Sequence, residues 1–362
     1  MGHTTNTGTG KTETNVTPNE SSEARLQVDR AAPSPLMRVH YVETEQLETW
    51  IRSSSMNIMA VIHYDQASPE FVPTHYPAFS IALPQLSEPT WAEVWTSASP
   101  VEYRRIQDMR IAATKQMIFG QLQIEESSDS LLSDVAYEVY CRVATQAQRV
   151  GYPHLLRVWN YFPRMNAVTA GLERYQQFCV GRHQAMVEHV AGFPHALPAG
   201  TAVGTRSGPL QLYFLAATVP GIPIENPRQI SAYHYPREYG PCSPSFARAT
   251  LHQSEFGSQL FIAGTASVVG HATQHAGAPT EQAVETIKNI KALMEQVETK
   301  YGTGMGWGSA VYKLYLRHAE HLHHVHEICR AQLSGDGPLL CVQGDLCRRD
   351  LLLEIEAVLT LN

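Results

Sequence analysis

Two glutamates near the end of the chain have the types and spacing that proton-transfer chemistry requires. Glu354 and Glu356 stand in a largely apolar run that follows Cys347. Side chains two residues apart lie on the same face of a β-strand, so both carboxyl groups are expected to point the same way. Burial on that face would raise the pKa of a carboxyl group and make it a proton donor near neutral pH. An edge strand with two solvated glutamates is the alternative interpretation.

Length and composition limit the classes of protein that could use these residues. The chain has 362 residues, of which 43% are hydrophobic and 17% charged, as is typical of a soluble globular protein with room for two domains. The net charge of −7 argues against a broad surface for nucleic acid or membrane, so an anionic ligand would need a local group of arginines. The six cysteines form no C-x-x-C pair, and no apolar stretch reaches the length of a membrane span. We therefore expect a cytoplasmic protein with reduced thiols.

The N-terminal segment 1–35 differs from the rest of the chain. It is rich in Thr, Asn, Gly, Glu and Ser and has almost no large apolar residue, so it cannot offset the entropy of ordering and is predicted to be a disordered tail. It lacks the basic start and apolar core of a secretory signal. The Gly-Thr-Gly-Lys-Thr at 8–12 lacks the glycine spacing and the preceding strand of a phosphate-binding loop.

The remaining sequence repeats one order of elements twice. In each copy three strand-like stretches precede a helix, a strand, a second helix and two further strands. The pattern predicts an α+β fold of two tandem units, each a mixed β-sheet backed by two helices, with domains at 36–222 and 223–362. The predicted strands and helices of the first copy are 59–64, 79–83, 117–124, 135–150, 155–161, 172–190, 201–203 and 210–218. Those of the second are 231–235, 246–252, 259–269, 283–302, 311–317, 318–333, 339–342 and the glutamate strand.

The two copies differ where chemistry is expected. Overlaying 210–214 on 351–355 places Tyr213 opposite Glu354, so only the second copy would carry the acid. Pockets often form where two such units meet. We therefore expect a single site at the interface of the units.

Several motifs in a fixed order carry a family resemblance. They are Trp-Asn-Tyr-Phe-Pro at 159–163, Arg-Tyr-Gln-Gln-Phe-Cys-Val-Gly-Arg at 174–182, Tyr-Pro-Arg at 235–237 with Tyr-Gly-Pro at 239–241, Gly-Thr-Ala-Ser-Val-Val-Gly-His at 264–271, and Glu-Ile-Glu-Ala at 354–357. The second copy resembles the RidA (YjgF) fold, and the chain from about residue 57 onward resembles the chorismatases. These enzymes fuse two such units and cleave the enolpyruvyl ether of chorismate.

The resemblance implies a substrate site for a dianion. Chorismate carries two carboxylates, and the planar guanidinium group of arginine suits their recognition. The candidates are Arg182, Arg248 and Arg317, although each could instead form a surface ion pair. Tyr175 and Tyr239 could donate hydrogen bonds to a carboxylate or a ring hydroxyl, or could be buried structural tyrosines. Ala266 is also assigned to the substrate pocket.

The resemblance also implies roles for the C-terminal residues. Glu354 is expected to protonate the methylene carbon of the enol ether, with Glu356 as a structural neighbour or an arginine partner. Cys347, seven residues before the acid, is expected to assist aromatisation to 3-hydroxybenzoate, unless it is a structural thiol. Ala266 argues for the dihydroxycyclohexadiene carboxylate instead, since the aromatising branch prefers glycine near that position. An imine hydrolase of the RidA type and a non-catalytic binding module remain alternatives.

Neither a cofactor nor a metal is expected. The histidine-rich helix 318–333 places His323 and Glu327 four residues apart, but it has no H-E-x-x-H motif and reads as a solvated face. The glycine-rich stretch 302–308 joins a helix to a strand, so a flexible turn is favoured over a phosphate loop. A small-molecule substrate is the only expected partner, and the protein could be a monomer or a homo-oligomer.

Overall fold

The computed structural model describes residues 37–64, 75–127, 129–255, 257–302, 310–333 and 339–361, together with Met1. Apart from Met1, the predicted tail at 1–35 lies outside the described residues. The same holds for most of the glycine-rich stretch at 302–308.

The first structural layer is a four-stranded sheet with strand order β1-β4-β2-β3. Its elements are β1 (Arg38–Glu43), α1 (Leu47–Ser53), β2 (Asn57–Tyr64), β3 (Ala78–Ile81) and β4 (Trp91–Ser97). The predicted strands at 59–64 and 79–83 lie here. Their assignment to the sheet of the first repeat is therefore wrong, because the strand at 59–64 pairs with the strand at 79–83 on one side and with β4 on the other.

The second sheet has six strands in the order β11-β8-β12-β7-β6-β5. Its elements are β5 (Glu102–Ile106), β6 (Met109–Ala113), β7 (Met117–Ile124), α2 (Leu132–Arg149), β8 (His154–Pro163), β9 (Val168–Thr169), β10 (Leu172–Glu173), α3 (Arg174–His189), β11 (Ala199–Thr205) and β12 (Leu210–Ala217), with β9 and β10 forming a separate short ribbon. Strands β8 and β11 are parallel, and β12 is antiparallel to both of its neighbours.

The third sheet repeats this plan in the order β13-β14-β15-β20-β18-β19. Its elements are β13 (Ile222–Ile224), β14 (Ala249–Ser254), β15 (Gly257–Thr265), β16 (Val268–Val269), β17 (Ala272–Thr273), α4 (Pro279–Tyr301), β18 (Ala310–Leu316), α5 (Leu322–Gln332), β19 (Leu339–Gln343) and β20 (Leu353–Leu361), with β16 and β17 forming a second ribbon. The parallel pair β18–β19 and the central antiparallel β20 match β8–β11 and β12. The prediction of two similar α+β units is confirmed.

We call β1–β12 the N-terminal half and β13–β20 the C-terminal half. The predicted domain boundary at 222/223 falls inside β13 and stays a prediction. One predicted strand was wrong: residues 231–235 contain a short 3₁₀ turn at Ala232–His234. Pro236, which follows directly, has no N–H to donate to a strand ladder.

The register of the central strands corrects the predicted overlay of the halves. Gln211 pairs with Tyr161 in the N-terminal half, and Glu354 pairs with Tyr315 in the C-terminal half. The Tyr161 and Tyr315 hydroxyls lie 2.8 Å apart, which indicates that these tyrosines are equivalent. Gln211, rather than Tyr213, therefore matches Glu354. The Gln211 amide donates to the Ser80 carbonyl of the first sheet at 3.0 Å.

The three sheets meet at a buried group of charges, which we call the central ion cluster: Glu93, Arg157, Lys313 and Glu356. The Lys313 ammonium lies 2.6 Å from Glu93 and 2.9 Å from Glu356. Arg157 donates to Glu356 at 2.8 Å. Each sheet contributes at least one member, so the cluster joins all three layers at their centre.

The described helices are too short or too polar to cross a membrane.

Candidate active site

A cavity of about 470 Å³ opens between the two halves. Helix α3 and strand β11 of the N-terminal half form one wall, and β15, β20 and the segment 347–351 of the C-terminal half form the other. Seven of the eight predicted site residues line it: Tyr175, Arg182, Tyr239, Arg248, Ala266, Cys347 and Glu354.

Glu354 lies on β20 at the base of this cavity and is 5% exposed. Burial, together with the neighbouring Glu356 carboxylate, raises the pKa of Glu354 to about 8. The charges of Arg157 and Arg248 oppose this shift without cancelling it. The side chain is therefore mostly protonated at neutral pH, and it can act as an acid.

Glu356 lies two residues further along the same strand in a different environment. Burial disfavours its charged form, but Lys313 and Arg157 outweigh that effect and hold the pKa of Glu356 below its ordinary value. The Trp159 indole N–H and the Thr201 hydroxyl each donate to its carboxylate at 2.8 Å. The expectation that Glu356 partners an arginine is confirmed, and the two glutamates divide into a neutral acid and a fixed anion.

Two buried guanidinium groups face the cavity without a carboxylate partner. Within the described part of the chain, no carboxylate lies in ion-pair distance of Arg182 or Arg248, and the Nε of each is buried without a hydrogen-bond partner. The Phe246 ring centroid lies 5.8 Å from the Arg182 Cζ and 5.2 Å from the Arg248 Cζ. Unpaired buried cations attract anions strongly. This pair can therefore bind a ligand with two acidic groups.

Helix packing places Arg182 on this wall. A Cβ atom at the preceding Gly181 would lie 1.9 Å from the Ser133 carbonyl of α2, so only glycine permits this close approach of the two helices. The approach turns the buried face of α3, including Arg182, toward the cavity. Arg248, just before β14, is held by the Ile230 carbonyl at 2.9 Å and the Tyr235 hydroxyl at 2.7 Å.

The Cys347 thiol shares the cavity with Glu354. Burial and the nearby Glu354 raise the pKa of Cys347 to about 12, so the sulfur carries its proton at neutral pH. Burial likewise raises the pKa of the Tyr175 phenol, which stays a hydrogen-bond donor. These groups give the cavity neutral donors beside its cations.

Two cavity residues form a stacked pair. The guanidinium of Arg348 lies 4.0 Å from the ring centroid of Tyr239, and its Nη1 donates to the His271 carbonyl at 2.8 Å. The Tyr239 hydroxyl donates to the same carbonyl at 2.9 Å. The sequence predicts no role for Arg348, although its neighbour Cys347 is a candidate.

Arg317 does not line the cavity. Its guanidinium donates to the carbonyls of Leu351, Leu346 and Arg348, and it forms an ion pair with Asp345 at 2.8 Å. The prediction that Arg317 binds substrate therefore does not fit the structure. It instead fixes the segment that carries Cys347 and Arg348.

Sequence reasoning also missed lining residues whose signals were weak. Tyr235 belongs to a motif without a predicted role, Phe246 begins a predicted strand, and Arg349 lies in the strand-like run between Cys347 and Glu354. No periodic pattern marks these residues. Their place in the cavity follows from irregular segments that the tertiary fold brings together.

Comparisons with known proteins support one family. Residues 93–216 match the family model for the N-terminal part of FkbO/Hyg5-like chorismatases. A 3-hydroxybenzoate synthase of Streptomyces hygroscopicus is 33% identical over 83% of this chain and 91% of its own length. A chorismatase of the same organism is 36% identical over 74% of this chain and 79% of its own length.

A solved structure agrees with these sequence matches. A chorismatase crystal structure superposes with a TM-score of 0.81 and 31% identity, covering 91% of this chain and 99% of the other. The predicted family and α+β fold class are thereby confirmed. The chain belongs to the chorismatase family.

Proposed function

We propose that this protein cleaves the enolpyruvyl ether of chorismate and releases pyruvate, with Glu354 as the proton donor. The observation that carries the proposal is the meeting, in one cavity, of a buried neutral carboxyl group with two guanidinium groups that lack carboxylate partners. The names of the relatives also support the proposal, since they are a 3-hydroxybenzoate synthase and chorismatases.

The guanidinium groups of Arg182 and Arg248 bind the substrate. Chorismate is a dianion whose carboxylates lie on the ring and on the enolpyruvyl arm, so two fixed guanidinium groups can orient it. Arg248 is the closer match for the arm, because its charge acts on Glu354. Arg182 then binds the ring carboxylate. The Tyr175 phenol donates to a remaining oxygen, while Tyr239, whose hydroxyl donates to the His271 carbonyl, can accept a hydrogen bond from a ring hydroxyl.

The chemical step is a proton transfer to carbon. Glu354 donates its proton to the terminal methylene of the enol ether, which leaves an oxocarbenium-like carbon for an oxygen nucleophile to trap. Burial of the side chain and the ionised Glu356 on the same strand keep the acid protonated before the substrate accepts the proton. The Glu354 carboxylate that results can then recover a proton from the ring or from water.

Two ring products are consistent with this step. Hydrolysis adds one water and gives the dihydroxycyclohexadiene carboxylate, whereas 3-hydroxybenzoate and pyruvate together contain only the atoms of chorismate. The aromatic route therefore has no net uptake of water and needs proton transfers at the ring. The neutral Cys347 thiol shares the cavity with Glu354 and can relay such a proton by releasing its own as it takes one up, which favours 3-hydroxybenzoate. A cytoplasmic location and a monomeric or homo-oligomeric state stay predictions.

The direct test is incubation of the purified protein with chorismate. We expect pyruvate in a coupled lactate dehydrogenase assay and 3-hydroxybenzoate by chromatography with mass detection. The dihydrodiol as the ring product would keep the cleavage and reject the aromatic route. If no pyruvate forms, the proposal fails; hydrolysis of 2-iminopropionate in a parallel assay would then identify an imine hydrolase.

Replacing Cys347 by alanine tests the role of the thiol in product choice. We expect Cys347→Ala to release pyruvate within about tenfold of the natural rate, because the proton donor and the arginines remain. The ring product should shift from 3-hydroxybenzoate toward the dihydroxycyclohexadiene carboxylate, measured as a product ratio. Cys329→Ala is the control, since this buried cysteine lies on α5 away from the cavity. An unchanged ratio in Cys347→Ala would make the thiol structural.

A further inference from the structure

The strand beside the proposed acid contains an irregularity. Along the β15–β20 ladder, Ile262 pairs with Ala357 and Thr265 pairs with Ile355. Two residues of β15, Ala263 and Gly264, therefore lie opposite the single residue Glu356. This is a β-bulge, a feature that redirects strands and side chains next to active sites.

The bulge brings backbone directly against the acid. A Cβ atom at Gly264 would lie 1.7 Å from Oε1 of Glu354 and 2.5 Å from its carboxyl carbon. Any side chain at position 264 would therefore occupy the space that the carboxyl group now fills. Gly264 also lines the cavity, so its backbone supports the buried side of Glu354.

A residue from the other half of the molecule holds this backbone. The Gly264 N–H donates to the Thr201 hydroxyl of β11 at 2.9 Å. The same hydroxyl donates to Glu356 at 2.8 Å and accepts a hydrogen bond from Arg157. Thr201 is 1% exposed, and all three bonds depend on its one hydroxyl oxygen.

We propose that Thr201 is a positioning residue: through its bond to the Gly264 N–H, the N-terminal half fixes the bulge that supports the Glu354 carboxyl of the C-terminal half. The inference rests on the proposed function, in which Glu354 donates the proton. The family resemblance implies no role for Thr201, and this residue is not among those that line the cavity. Its contribution is geometric, since proton transfer to carbon requires a carboxyl group held in one place.

The test is a valine substitution with two matched variants. We expect Thr201→Val to lower kcat for pyruvate release by about 10- to 100-fold, the scale of a misplaced catalytic group, with KM changed by less than about threefold. Thr201→Ser keeps the hydroxyl and should stay within about threefold of the natural kcat. Thr205→Val lies on the same strand and removes a buried hydroxyl that has no partner among the described residues, so it should leave both constants unchanged.

The pH profile separates positioning from general loosening. A carboxyl group released from its support gains contact with water, so the alkaline limb of kcat should move to lower pH in Thr201→Val and stay in place in Thr205→Val. If Thr201→Val does not fold, Thr201→Cys replaces it, because its thiol is a weak donor and acceptor of similar size. Its kcat should then fall clearly below that of Thr201→Ser.

The outcomes distinguish this inference from the proposed function. If the natural protein releases no pyruvate from chorismate, the proposed function itself fails. If the natural protein is active and Thr201→Val matches Thr205→Val in kcat and pH profile, the positioning role is overturned while the function stands. A rise in KM alone, with kcat unchanged, would also overturn it.

Discussion

Glu354→Gln should abolish most turnover of chorismate, with kcat reduced at least about 100-fold, the usual contribution of a general acid. The amide has nearly the same shape as the protonated carboxyl group but no acidic proton to transfer. Because Glu354 is already neutral in the folded protein, the substitution removes no charge, and stability should be preserved. Steady-state pyruvate release and circular dichroism measure the two effects.

Glu285→Gln is the matched control for this variant. Glu285 is a largely buried glutamate on α4 that pairs with Arg228 outside the cavity, so its loss should leave kcat unchanged. Full turnover by Glu354→Gln would remove Glu354 as the acid and leave the cavity a binding site with another donor.

The natural protein should show the corresponding pH dependence. Glu354 acts in its protonated form, so kcat/KM should fall as pH rises through about 8, the pKa of Glu354 in the free protein. A bound substrate carboxylate raises the pKa further, so the limb of kcat should lie at higher pH than that of kcat/KM. A flat profile across this range would contradict the assignment.

Lys313→Met should destabilise the protein by about 3–5 kcal/mol, as expected when one partner of a buried ion pair is removed. The substitution leaves Glu93 and Glu356 facing each other at the centre of the molecule, where their side chains are 1% and 7% exposed. Arg157 compensates only Glu356. Urea unfolding followed by tryptophan fluorescence measures the loss, because the indole groups of Trp95 and Trp159 donate to these carboxylates.

Lys288→Met is the control for this prediction. Lys288 pairs with Glu285 at 3.3 Å, but its side chain is 56% exposed, so its loss should cost less than about 1 kcal/mol. The deficit of Lys313→Met should shrink as pH falls, because Lys313 holds the pKa of Glu356 below its ordinary value and this contribution is lost from the natural protein once that carboxylate is protonated. Equal losses for the two lysines would show that the central ion cluster contributes little.

The sequence predicted the parts of the site that strand periodicity encodes. Two carboxylates two residues apart in an apolar strand share one face, and this pattern predicts Glu354 as a buried acid. The place of Arg317 could not be predicted, because an arginine at a strand end can turn toward a cavity or toward backbone. Here the segment 344–351 folds over it and its carbonyls bind the guanidinium. The direction of the Arg317 side chain therefore depends on the conformation of this loop, which the spacing of residues in the sequence does not reveal.

The four-stranded sheet was hidden for a similar reason. Its strand β4 carries the buried Glu93, whose charge interrupts the apolar pattern that marks an interior strand. The lysine that neutralises Glu93 lies more than two hundred residues away in the chain. Polar residues in a core can be recognised only with their partners, and such long-range pairs are not visible in one sequence.

Tyr161 and Tyr315 hold matching positions in the two halves, and their hydroxyls lie 2.8 Å apart. An assembly of two identical polypeptides would carry the same residue at every matching position, so it could not present glutamate in one half and glutamine in the other. Covalent fusion removes that restriction. Glu354 can line the cavity while Gln211 bonds to the Ser80 carbonyl of the first sheet, and each chain keeps one acid at this position instead of two.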